Sequence, residues 1–180
     1  MIRAATEADA APILEIYEPV VRDSVATFEI EPPSVTEMAG RIDAVLRTYP
    51  WLVFEDEGRV AGYAYAAPYH PRPAYAWSCE VSVYVGAAGR GAGLGRTLLD
   101  ELLRRLTTAG FVNATARIAL PNDASVRLFE ARGFERVGLA RGIGFKLGRW
   151  VDVGEWQKQL NPPATEPARP APPEGRTLGA

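Results

Sequence analysis

Residues 89–99 read Gly89-Arg90-Gly91-Ala92-Gly93-Leu94-Gly95-Arg96-Thr97-Leu98-Leu99. This glycine-rich turn follows a strand-like run, Ser78 to Val85, and opens a helix in which Leu94, Leu98, Leu99, Leu102, Leu103 and Leu106 recur at a helical period. Such an arrangement makes an anion cradle. Glycines let a backbone come close to a ligand, and the unpaired N–H groups of a helix start face it with the positive end of the dipole behind them. A pyrophosphate suits that cradle, so the sequence predicts a phosphate-binding α/β unit. A Walker A loop needs a lysine after its second glycine, and none stands here. The dinucleotide fingerprint needs a different glycine spacing, early in a βαβ unit, whereas Gly91, Gly93 and Gly95 lie deep in the chain after a hairpin.

Upstream of the turn, Ile2 and Arg3 begin a short strand. Thr6 with Asp9 starts a first helix that buries Ile13, Leu14, Ile16 and Tyr17. Ser34 with Glu37 forms a capping box for a second helix, with Met38, Ile42, Val45 and Leu46 on its apolar face. Trp51–Glu55 and Val60–Ala66 read as strands joined at Glu57-Gly58, and Pro68 to Pro73 as a loop. In Ser78–Val85, Cys79, Val81, Val83 and Val85 alternate with Glu80, Ser82 and Tyr84. Downstream, Gly110 ends the leucine helix and Val112–Leu120 forms a strand. Asn122 or Asp123 caps a short helix closed by Gly133. Two late strands follow, Gly144–Leu147 and Val151–Leu160, joined near Gly148. Helices thus pack on a central mixed sheet, which makes the fold α/β.

The 180 residues, 47% of them apolar, suffice for one domain with a core. A net charge of −2 gives no global case for nucleic acid or an anionic membrane. The single cysteine, Cys79, excludes a disulfide framework and an all-cysteine metal site, and the single histidine, His70, argues against an ordinary zinc site. No apolar run is long enough to span a membrane, and the N-terminus lacks the apolar core of a signal peptide. A reduced, cytoplasmic setting is expected. From Asn161 the composition turns Pro-rich with few large apolar residues, which predicts a globular domain over 1–160 and a disordered tail over 161–180.

The segment Arg90-Gly91-Ala92-Gly93-Leu94-Gly95 matches the Arg/Gln-x-x-Gly-x-Gly/Ala loop of the GCN5-related N-acetyltransferases, the GNAT family. Three further stretches resemble the phosphinothricin and methionine sulfoximine acetyltransferases within it. They are Trp77–Val85, Leu120–Arg127 and the run from Gly144-Phe145-Lys146 through Trp150-x-Asp152-Val153-Gly154 to Trp156-Gln157. The four motifs stand in the family's order from about Ile2 to Leu160. The resemblance implies the GNAT acyl-CoA N-acyltransferase fold, a central, mostly antiparallel sheet flanked by helices. It also implies acetyl-CoA as donor, a small-molecule amine as acceptor, no metal, and suggests a homodimer.

On that resemblance the pyrophosphate rests on backbone N–H groups of Gly91, Ala92, Gly93, Leu94, Gly95 and Arg96, with a hydroxyl from Thr97 and charge from Arg90 and Arg96. Either arginine also fits a solvated surface charge. Val83-Tyr84-Val85 matches the strand that family members splay to pair with pantetheine, whose free N–H polarises the thioester carbonyl. Asn122 matches a cofactor-contacting position and equally suits a helix N-cap.

An amine is largely protonated at neutral pH and must lose a proton before it attacks. Glu80, mid-strand and opposite the valines, matches the relatives' general base, and burial beside aromatics would tune it upward. The alternative is a glutamate on a solvated strand face. Where many family members carry a tyrosine, and the phosphinothricin relatives a histidine, to protonate the leaving thiolate, this chain has Phe129. For the acceptor pocket, Arg72 matches a residue able to hold a carboxylate and Tyr75 one able to close the site. Phe28 and Lys146 match pocket positions and fit structural roles equally well. His70 reads as an exposed loop residue and Cys79 as core.

The leading expectation is acetyl transfer to the α-amine of a small amino acid or analogue such as phosphinothricin, methionine sulfoximine or methionine sulfone. Acetylation of another small amine or a peptide N-terminus, a weakly catalytic CoA-binding module, and a nucleotide-phosphate binder are the competing readings.

Overall fold

The structure, a computed structural model, describes residues 1–173. Seven strands, β1 (Ile2–Ala4), β2 (Trp51–Asp56), β3 (Arg59–Pro68), β4 (Ser78–Val85), β5 (Asn113–Leu120), β6 (Glu135–Lys146) and β7 (Arg149–Gln159), form one sheet in the order β1-β2-β3-β4-β5-β7-β6. Each neighbouring pair is antiparallel except β4 and β5, which run parallel. That connection needs a crossover, and α3 (Leu94–Thr108) supplies it. The other helices are α1 (Ala10–Asp23), α2 (Val35–Leu46) and α4 (Asp123–Glu130).

The helix starts follow their local sequence. Ser34 Oγ accepts from the Glu37 N–H at 3.2 Å while Glu37 Oε2 accepts from the Ser34 N–H at 2.7 Å, a closed capping box. At the chain start the Thr6 N–H donates to Asp9 Oδ2 at 2.7 Å, and Arg3 donates to both Asp9 oxygens.

Helices cover both faces of the sheet. The leucine stripe of α3, with Leu98, Leu99, Leu102 and Leu106 fully buried, packs on Leu52, Ala64, Cys79, Val81, Ala114 and Trp156. Ile13, Tyr17 and Val21 of α1 and Ile42 of α2 pack on Trp51, Val53 and Tyr63 on the opposite face. The alternation in β4 is realised: Cys79, Val81 and Val83 face α3, and Tyr84 faces α1. Burying each such leucine is worth about 1.5–3 kcal/mol, so the α3 stripe anchors the helix that carries the glycine turn.

Two expectations meet a different structure. The strand expected from Gly144 begins at Glu135 instead, nine residues earlier by number. Its period is hidden because two register shifts, at Arg136/Gly138 and Ala140/Gly144, break the alternation, and most of its side chains are exposed. Among its described residues, 161–173, the Pro-rich segment carries no helix or strand, yet as far as Ala171 it lies against the domain. Asn161 Nδ2 donates to Phe111 O at 2.7 Å, Trp77 Nε1 to Ala168 O at 2.8 Å, and the Ala171 N–H to Ala109 O at 2.8 Å. Residues 174–180 of the expected tail lie outside the described residues.

Candidate active site

The parallel β4–β5 ladder is short. It pairs Ser78 with Asn113, Cys79 with Ala114 and Glu80 with Thr115, then stops. Beyond that point β4 stays bonded to β3 as far as Val85 opposite Gly62, and β5 stays bonded to β7 as far as Leu120 opposite Asp152. The two strands therefore diverge, leaving a gap in the middle of the sheet with one unpaired strand edge on each side. The Gly86 N–H donates to Ala61 O on the β3 side at 2.9 Å. Backbone groups alternate sides along a strand, so the N–H and C=O groups of Val83 and Val85 point into the gap, and those of Tyr84 point to β3.

The glycine turn stands at the end of this gap. Gly91 and Gly93 have φ of +80°, and Gly93 is the N-cap of α3. A Cβ at either would meet no atom within 4 Å, so the backbone there is bare to an incoming group. The N–H of Thr97 closes on Gly93 O at 3.1 Å. The first-turn N–H groups before it, on Leu94, Gly95 and Arg96, have no partner within the helix. A Cβ added at Gly95 would stand 3.8 and 3.5 Å from Val83 Cγ1 and Val85 Cγ2, so the helix start lies against the unpaired edge of β4. The residues present fit a pyrophosphate at the turn and an extended chain along the gap. Arg90 carries no ion pair among the described residues, Ala92 is exposed in the turn, and Arg96 lies 3.7 Å from Asp100. The Thr97 hydroxyl donates to Gly93 O at 3.2 Å, and Asn122 Oδ1 accepts from the Ser125 N–H as the cap of α4. Phe129 is buried against Phe134, ring centroids 5.1 Å apart, and offers no proton.

Glu80 stands where the strands part, on the face opposite α3. Its surroundings are not those expected. Arg117 of β5, two residues beyond Thr115, donates from Nε to Glu80 Oε2 at 2.7 Å, and its Nη2 touches the same oxygen. Glu155 lies directly across from Arg117 in the β5–β7 register, and its carboxylate adds to the field on the guanidinium. These partners hold Arg117 above its ordinary range, chiefly through the Glu80 hydrogen bond. Glu155 also acts on the nearby loop: its negative charge, first, and partial burial raise the Tyr69 phenol above its ordinary value. The sequence reading missed Arg117. A signal exists, since it is the one charged residue in Ala-Thr-Ala-Arg-Ile-Ala-Leu and shares the face of Thr115.

On the α1 face, the wall beside the gap is aromatic. Tyr84 stacks on Tyr63 at 5.0 Å and meets Tyr17 edge-on at 5.3 Å. Burial pushes the phenols of Tyr63 and Tyr84 well up, so neither releases a proton near neutrality. The Tyr17 hydroxyl donates to Glu29 Oε1 at 3.0 Å, and Arg41 pairs with the same oxygen. The segment 24–30 is pinned from below: Lys146 Nζ donates to Thr27 O at 2.8 Å, and the Phe28 ring lies over Gly144. Lys146 is 4% exposed, and burial lowers its ammonium below the ordinary value. It thus serves the loop that carries Phe28. Arg72 precedes, and Tyr75 ends, the exposed Pro73–Tyr75 turn. The His70 Nδ1 accepts from the Arg72 N–H at 3.3 Å, and the Tyr75 ring meets Tyr69 at 5.4 Å. Cys79 is fully buried and its thiol is pushed up by desolvation. A cavity of about 490 Å³ lies elsewhere, between Thr6, Trp51 and Pro173, and includes none of these residues. Among the described residues no cluster of three metal-ligating side chains occurs, and no helix is long and apolar enough to cross a membrane.

Comparison with known proteins fits this geometry. Residues 2–154 match the model of the acetyltransferase (GNAT) domain. A phosphinothricin N-acetyltransferase of Streptomyces viridochromogenes is 44% identical over 96% of this chain and 93% of its own length. An L-methionine sulfoximine/L-methionine sulfone acetyltransferase of Salmonella typhimurium is 35% identical over 89% and 94%. Among solved structures, a phosphinothricin acetyltransferase of Sinorhizobium meliloti in complex with acetyl-CoA superposes with a TM-score of 0.91 at 41% identity, covering 97% of this chain and 96% of that one.

Proposed function

This chain belongs to the GNAT acetyltransferase family, and from that premise we propose that it moves an acetyl group from acetyl-CoA to the α-amine of a small amino acid or analogue. The acceptor is of the phosphinothricin, methionine sulfoximine or methionine sulfone type, and Glu80 takes the amine proton. The observation that carries this reading is the position of Glu80 at the mouth of the β4–β5 gap, beside the unpaired edge of β4. A carboxylate there stands next to the strand on which the donor would lie.

Acetyl-CoA supplies the acetyl group as an activated thioester. The chain's residues do the rest. The open N–H groups at the start of α3 and the bare glycines Gly91 and Gly93 receive the pyrophosphate. The inward N–H of Val83 or Val85 stabilises negative charge where it develops on the carbonyl oxygen. Glu80 Oε1, which is outside the Arg117 contact, accepts the proton from the ammonium, directly or through one water. The leaving thiolate departs without a donor at Phe129, which a thiol pKa of about 8–9 permits. Arg72 at the loop meets an anionic group of the acceptor, Tyr75 closes over it, and Phe28 packs against its side chain. A cytoplasmic setting suits the free, buried Cys79. A homodimer is supported by the apolar edge left exposed by Val137, Leu139, Ile143, Phe145 and Trp150 on β6 and β7.

The test follows CoA release with a thiol reagent across phosphinothricin, methionine sulfoximine, methionine sulfone, common amino acids and peptides. Turnover with the first three supports the proposal. Silence across the panel from a protein that still binds CoA would favour the weakly catalytic module, for which Phe129 speaks.

A further inference from the structure

We propose that Arg117 receives the α-carboxylate of the acceptor, so that the Glu80–Arg117 pair reads an amino acid by its two charges at once. The inference rests on the acceptor class and the role of Glu80 proposed above.

An α-amino acid carries an ammonium and a carboxylate on one carbon. A receptor for both needs an anion and a cation side by side on one face. Glu80 and Arg117 are such a pair, with Nε and Oε2 2.7 Å apart at the point where β4 and β5 separate. The pair is accessible: the Glu80 side chain is 20% exposed and that of Arg117 57%. Without an acceptor the two groups satisfy each other. With one, the guanidinium turns to the incoming carboxylate and Glu80 to the incoming ammonium. One ion pair becomes two and no net charge is buried, which avoids the desolvation penalty of bringing a lone charge into the site.

Arg117 is equipped for this exchange. Its Nη1 has no hydrogen bond among the described residues, and a guanidinium offers a planar fork to a carboxylate. Glu155, opposite in the register, keeps a negative charge beside the guanidinium while Glu80 turns away. An amine that lacks the carboxylate fares differently. Its ammonium must compete with Arg117 for one carboxylate, and two cations are left facing each other. The pair therefore selects against amides, esters and peptide N-termini. Arg72, on the loop, is then left for a second anionic or polar group at the far end of the acceptor.

The experiment compares methionine sulfone with its α-amide in wild type, Arg117→Gln and Arg117→Lys, with acetyl-CoA binding followed separately by calorimetry. In Arg117→Gln, kcat/KM for the acid should fall about 10- to 100-fold, the range of a charged hydrogen bond. The same constant for the amide should not fall and should rise, because the variant removes the cation that the amide's ammonium faces. Arg117→Lys should recover part of the loss, and donor affinity should not move. Equal losses on acid and amide would reduce Arg117 to a positioning residue for Glu80 and overturn the inference, as would no loss on the acid. Wild type that releases no CoA with either compound would instead sink the proposed function, and a wild-type preference for the amide or a peptide would overturn the acceptor class.

Discussion

Gly144→Ala tests whether the segment 24–30 shapes the acceptor site. Gly144 is not among the positive-φ glycines, so alanine brings no backbone strain there. Its Cβ, however, would fall 2.5, 2.6 and 2.7 Å from Cζ, Cε1 and Cε2 of Phe28. Carbon atoms in good contact stand about 3.5–4.0 Å apart, so the ring must shift by about 1 Å or more. Phe28 is 38% exposed, so it can swing outward instead of compressing the core. The cost is then at the low end of overpacking, about 1 kcal/mol, or a fall in Tm of about 2–4 °C for a chain of this size. The larger effect is functional, because Phe28 moves with Thr27, whose carbonyl holds Lys146. The acceptor KM should rise about tenfold while the acetyl-CoA KM stays constant, read from initial rates with each substrate varied in turn. The double variant Phe28→Ala/Gly144→Ala should be no worse than Phe28→Ala alone, since the clash then has no partner. An unchanged acceptor KM in Gly144→Ala, or additive losses in the double variant, would refute the reasoning.

Glu80→Gln keeps the shape and removes the base. Turnover should drop about 10²- to 10⁴-fold with acetyl-CoA affinity unchanged, and a variant with wild-type turnover would take Glu80 out of the mechanism. Arg72→Ala should raise the acceptor KM more than the donor KM, most for acceptors with an anionic side chain, and equal effects on both would remove Arg72 from the pocket. Asp9 offers a pH test of the fold. Its carboxyl is held below the usual value, first by the Arg3 hydrogen bonds, against the opposing effect of burial. A folded-state value below the unfolded one means that the pair stabilises above about pH 3.9 and loses that contribution as pH falls through the folded value. Asp9→Asn should lower Tm at neutral pH and flatten its decline in acid, measured by circular dichroism. A variant whose Tm falls in parallel with wild type would show that Asp9 does not carry that slope.

Much of the molecule was legible from the chain because the signals were local. The Ser34–Glu37 box, the leucine period of α3 and the alternation in β4 each involve residues a few positions apart, and the period of the backbone turns that spacing into a face. Glu80 was placed on the correct face of its strand for that reason. β6 was cut short because two register shifts and repeated glycines remove the alternation on which strand reading depends.

The sequence by itself determined the element order, the two buried helix faces, the bare glycine turn and the family resemblance. Only the tertiary structure decided what stands beside each functional group. The gap between β4 and β5 exists because their ladder ends after Glu80–Thr115, and no single strand records where a neighbour stops. Arg117 meets Glu80 across 37 positions, and Lys146 meets Thr27 across 119. Those contacts are set by strand register and chain crossing. Charge, polarity and period specify which side of an element a residue occupies, whereas its partner is fixed only when the sheet brings distant segments to within hydrogen-bond reach.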